Sequence, residues 1–130
     1  MWSSREGTRE DAGAAAVEFA LVSVLLLMMI VGIVEFGRLY SAKLAVTHAA
    51  REGARQAAVD RYDAAYVKSQ AAPLSPAAVT VSRSLGTDTY GKYVLVTVSA
   101  PVSVGFLATD WRMDRGTVTV TSSARMKAEY

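Results

Sequence analysis

From Phe19 to Val34 the chain reads FALVSVLLLMMIVGIV without a single charged side chain, and Glu18 and Glu35 stand at its two ends. At about 1.5 Å of rise per residue, the stretch of roughly 21 residues from Ala14 to Val34 spans about 31 Å as a helix, against about 30 Å for a bilayer's hydrocarbon core. Such a span fits with Glu18 near one edge. Ser23 and Gly32 are the only interruptions, and a serine hydroxyl can bond back to a helix carbonyl where there is no water. A cleaved secretory signal fits poorly. Arg5 and Arg9 are offset by Glu6, Glu10 and Asp11, and Glu35, Arg38 and Lys43 follow the apolar run where a signal peptidase needs small neutral residues. A core helix of a soluble domain fits no better, because the remaining chain is too short to wrap a helix that is apolar on every face. The feature therefore predicts one transmembrane helix.

At 130 residues, only one small domain is left beside this span. Fourteen basic and twelve acidic residues are scattered along the chain, which argues against nucleic acid as a partner. Cysteine is absent, so there is no disulfide framework and no thiolate zinc site. Asparagine is absent too, which excludes N-glycosylation. Arg38, Lys43 and Arg51 after the span outnumber the arginines before it. Taken alone, that charge bias puts the C-terminal side in the cytoplasm.

The helical pattern continues past Glu35 through FGRLYSAKLAVTHAAREGARQAAV, free of proline and rich in good helix formers. One helix is expected from about Asp11, as N-cap, to about Val59, with a further short turn between Asp63 and Gln70. Ser41, Ala45, Ala49, Gly53 and Ala57 recur at i+4, with Ala42, Ala50, Ala54 and Ala58 on the next row. A face this small admits another backbone closely, either a second helix or the chain's own sheet. His48, Arg51, Glu52 and Arg55 form a polar band. Two donors, His48 and Glu52, are too few for a closed zinc site, and a solvated charge face is the expectation.

Pro73 and Pro76 break the pattern. Three Val- and Thr-rich segments with period-two alternation follow, at Ala78–Ser84, Lys92–Val102 and Gly116–Lys127. The loop LGTDTYG joins the first two, and GFLATDWRMDR joins the second two, with Phe106, Leu107 and Trp111 expected to cover the sheet. The predicted fold class is α+β, a long N-terminal helix with a membrane-spanning first half, followed by a small three-stranded antiparallel sheet lying on the Ala-rich helix. A single histidine, no cysteine and no Gly-x-Ser-x-Gly turn, phosphate-binding loop or dinucleotide fingerprint leave no constellation for catalysis. Asp110 and Asp114 sit beside Arg112 and Arg115 and read as surface ion pairs. No enzyme activity, cofactor, metal or small-molecule substrate is expected.

Two residues before the span are out of place physically. Gly13 weakens a helix start by about 1 kcal/mol relative to alanine. Glu18 lies a little over one turn inside an apolar segment, where an unpaired charge costs several kcal/mol unless it reaches the headgroups. The segment GAAAVEF running into the apolar helix, followed by GIVEFGRLYSAKLAVTHAAREGARQAA, resembles the TadE-like family, minor pseudopilins of the tight-adherence (Flp-type) pilus system. The resemblance covers about Ala12 to Val59.

That resemblance implies a pilin-like chain whose leader, residues 1–13, is removed at the cytoplasmic face by a prepilin peptidase cutting between Gly13 and Ala14. It divides the rest into a transmembrane helix at 14–34, a helical extension at 35–60 and a head at 61–130. Glu18 and Phe19 become the fifth and sixth mature residues and are implied in assembly, where major Flp pilins usually carry tyrosine at the sixth. Against the charge bias, it also implies a single-pass protein of the cytoplasmic membrane with its N-terminus inside. The implied partners are membrane lipid, the prepilin peptidase, other pilins or pseudopilins and the Tad secretion machinery. Glu35 and Arg38 match the family pattern and, at i+3, are expected to pair at the membrane surface. Ala45, Ala49, Gly53 and Ala57 fall within the same matched stretch and are expected to serve helix packing. The alternative is an uncleaved single-pass protein with an exported binding domain.

Overall fold

A computed structural model of the chain describes residues 7–105 and 116–129, with side chains from residue 11 onward. Helix α1 runs Gly7–Ala58, α2 runs Ala64–Ser69, and three strands follow at Thr80–Asp88 (β1), Gly91–Val104 (β2) and Gly116–Lys127 (β3). The sheet is antiparallel throughout, in the order β1-β2-β3. The long helix and the three-stranded meander expected from hydrophobic period are both present. The connection carrying Phe106, Leu107 and Trp111, with Asp110 and Asp114, lies outside the described residues.

Two compact units divide the chain, residues 1–34 and residues 35–130. In the first, α1 carries the apolar run with none of its side chains buried. In the second, residues 35–58 of α1 belong with the sheet, so the helical extension is one wall of the head rather than a separate spacer.

The head's core has two sides of unequal bulk. From α1 come Val46, Ala49, Ala50, Ala54 and Ala57; from β2 come Val94, Val96, Val98 and Ala100, and Val67, Ala71 and Val79 close the remaining side. Alternation along β2 sends its even-numbered residues into this core and its odd-numbered ones to the opposite face. Gly53 marks the closest approach, since a Cβ there would lie 3.0 Å from a Val67 methyl and 3.1 Å from a Val96 methyl. Both small-residue rows are buried inside the head apart from Ser41.

Several boundaries shift from expectation, although α1 ends at Ala58, next to the expected Val59. Helix α1 is already formed at Gly7, the first described residue, so Asp11 lies inside the helix rather than at its cap. At its other end, Asp60 takes a left-handed conformation (φ 56°), the Arg61 N–H donates to the Gln56 carbonyl and the Asp60 N–H donates to the Ala57 carbonyl. These two bonds make a Schellman cap with aspartate where glycine is usual. Strand β1 extends through Leu85–Asp88, which the sequence reading took as loop. The turn between β1 and β2 therefore shrinks to Thr89 and Tyr90, with Asp88 opposite Gly91.

Candidate functional site

Gly13, Ala14, Glu18 and Phe19 all lie on the exposed surface of α1, Phe19 at 75% exposure. Among the described residues nothing lies within 4 Å of where a Gly13 side chain would be, so space there does not require glycine. Ala14 and Glu18 are separated by i+4, placing them on one helix face about 6 Å apart along the axis. A helix that began at Ala14 would hold the Glu18 carboxylate within reach of its positive end. Peptide cleavage needs extended backbone, and a mid-helix glycine lowers the cost of local unwinding by about 1 kcal/mol.

Beyond Phe19 the apolar side chains Leu21, Val24, Leu25, Leu27, Ile30 and Ile33 are exposed on all sides of the helix. Burial inside the protein therefore does not account for them. Helix α1 is long and apolar enough to cross a membrane.

Glu35 opens the second unit. Its Oε1 accepts from Arg38 Nη1 at 3.4 Å, as the i+3 spacing suggested, and also from the Gly105 backbone N–H at 3.4 Å. The glutamate side chain is only 16% exposed, whereas that of Arg38 is 56% exposed. Glu35 Oε2 is buried with no hydrogen-bond partner among the described residues. The carboxylate thus ties the helix to the end of β2. Sequence reasoning missed that tie because Gly105 is 70 residues away and carries no side-chain signal.

Ala45, Ala49, Gly53 and Ala57 are brought together, but under the head's own sheet. Any surface that α1 offers to another chain in this region lies on its other faces, where Phe36, Tyr40 and Leu44 are exposed. Within the polar band, Glu52 takes two bonds from Arg55, at 2.7 and 3.0 Å. Those bonds hold the Glu52 carboxyl below its usual range and push the Arg55 guanidinium up. Among the described residues no three His, Asp or Glu side chains converge on a metal-sized space.

These features define a class, a protein with one helix able to span a membrane and an α+β head partly built from the same helix. Residues 13–55 match the family model described as TadE-like protein. The match begins at Gly13, takes in the apolar run and ends at Arg55 before the sheet. The family is one of the Tad pilus, and α1 is by length and composition able to cross a membrane. No curated protein and no solved structure matches the chain significantly.

Proposed function

We propose that this chain is a minor pseudopilin. It is inserted in the cytoplasmic membrane with its N-terminus inside, trimmed by a prepilin peptidase between Gly13 and Ala14, and used without any catalytic activity of its own to assemble a Tad-type pilus. The observation that carries this reading is the order of Gly13, Glu18 and the bare apolar helix within one exposed segment, inside the stretch that matches the TadE-like family. A membrane anchor alone has no need of the glycine. Cleavage would leave an α-amino group on Ala14, protonated for the most part at neutral pH, and in lipid that cation would seek the Glu18 carboxylate of a neighbouring subunit.

The test is the mature N-terminus, read by mass spectrometry from the native host, with Gly13→Leu alongside. A chain starting at Ala14 in wild type and retaining its leader in Gly13→Leu is the expected result. An intact leader in wild-type, pilus-producing cells would overturn processing and favour an uncleaved, membrane-anchored binding domain.

A further inference from the structure

The uncharged run Phe19–Val34 covers only about 24 Å as a helix of roughly 16 residues, short of the roughly 30 Å of a hydrocarbon core. The missing length has to come from one end or the other. Toward the N-terminus it takes in Glu18. Toward the C-terminus it takes in Glu35 and Arg38, which by sequence alone looks worse, because two charges are involved instead of one. The surroundings of those two side chains reverse that order.

Exposed apolar side chains on α1 do not stop at Val34. Phe36 is 72% exposed, Tyr40 59% and Leu44 53%, and their i+4 spacing keeps them on one side of the helix. The next large apolar side chain exposed on or near this helix is Val59. Between Val34 and Leu44 the only charged residues are Glu35, Arg38 and Lys43, and each has a partner within the head. The Glu35 carboxylate, 16% exposed, is shared by the Arg38 guanidinium and the Gly105 N–H. The Lys43 ammonium donates to the Thr121 carbonyl of β3. Charged groups at membrane depth pair with one another or with backbone carbonyls, and these three do both. The Gly105 N–H, satisfied by Glu35, needs no water either. Arg38 keeps its guanidinium half exposed on a long stem, which lets the charge reach a lipid phosphate while the stem stays in apolar surroundings. Beyond Leu44 the exposed face of α1 turns polar, with His48, Arg51 and Arg55.

We infer that lipid covers α1 as far as Leu44, so that the foot of the head is seated in the membrane surface and not held above it. The hydrocarbon core then runs from about Phe19 to about Leu39, roughly 21 residues or about 31 Å, and Glu18 falls among the headgroups at the other end. Tyr40 and Leu44 stand in the headgroup layer on the head's side. Glu35 lies about 6 Å below that layer, within the roughly 5–10 Å to which amphipathic surface helices sink. Lipid is the occupant because the stripe continues the exposed surface of the span through Ile33, Val34 and Phe36 without a break, and a tyrosine beside basic side chains is the composition of a membrane–water boundary. The inference rests on α1 being the membrane span, and it does not depend on pilus assembly.

The chain has no cysteine, so spin labels can be placed one at a time at Leu25→Cys, Phe36→Cys, Tyr40→Cys, Leu44→Cys and Arg51→Cys. All five positions are exposed, and circular dichroism of each variant should match wild type. The full chain is reconstituted at low density in vesicles of phosphatidylethanolamine and phosphatidylglycerol, and label collisions with oxygen and with a water-soluble nickel chelate are compared. The expected oxygen-to-nickel ratio at Phe36 is close to that at Leu25 and about fivefold or more above that at Arg51, with Tyr40 and Leu44 between them in that order. A Phe36 label as open to nickel as the Arg51 label, with Leu25 still protected, would overturn the inference and leave the span intact. Nickel access at Leu25 as well would overturn both. Spin–spin broadening at Tyr40 that unlabelled chain dilutes away would give the stripe to a second copy, and would equally overturn it.

Discussion

Gly53 and Asp60 show how single residues set the head's limits. An alanine at 53 gains about 1 kcal/mol in helix propensity, but its methyl would press on Val67 and Val96 at 3.0–3.1 Å, and overpacking of that kind costs about 1–3 kcal/mol. Gly53→Ala should therefore lower stability by about 1 kcal/mol, read from urea titration of the detergent-solubilised chain by circular dichroism. A stabilised Gly53→Ala would mean that the helix and sheet have room to separate. Asp60 presents the opposite case. Its left-handed backbone is strained for a side-chain residue, and its ion pair with Arg83 is long, at 3.9 Å. Asp60→Gly should raise the unfolding midpoint in the same titration, by an amount equivalent to about 0.5 kcal/mol. A lowered midpoint would show that the Arg83 contact outweighs the backbone strain.

Among the elements, those with a strong period were legible and those set by a distant partner were not. Strand β3 was read at its observed bounds, Gly116–Lys127, because Val and Thr alternate there with no glycine or proline after Gly116. Strand β1 was cut short at Ser84 because Gly86 and Asp88 have the chemistry of a turn. In the structure Gly86 is instead the slot for the Tyr93 ring, and Asp88 is the anchor for Arg125, requirements imposed from other strands. The same reasoning accounts for Glu35, whose local partner Arg38 was visible and whose remote one, Gly105, was not. For the apolar half of α1, composition alone sufficed. A charge at its centre, as in Leu25→Arg, should cost about 2.5–3.5 kcal/mol of insertion and shift the protein toward the carbonate-extractable fraction. Unchanged membrane retention would argue that this helix is sheltered by other protein instead of lipid.

For the whole molecule, two units on one helix separate anchoring from folding. A change in the first should leave the second intact. Glu18→Ala should therefore insert, be trimmed and keep the wild-type head, yet be recovered from sheared pili at least tenfold less than wild type. Normal recovery would remove Glu18 from any part in assembly.

The imbalance between an alanine wall and a valine sheet has a further consequence during synthesis. Roughly 37 residues separate Ala57 from Val94, so at about 5–20 residues per second the wall waits roughly 2 to 7 seconds before its covering strand exists. A leucine-faced helix left bare for that interval would offer sticky surface to every other half-made chain crossing the membrane. Apart from Val46, the wall shows each of them little more than methyl groups, and most of the bulk arrives with the strand that buries it.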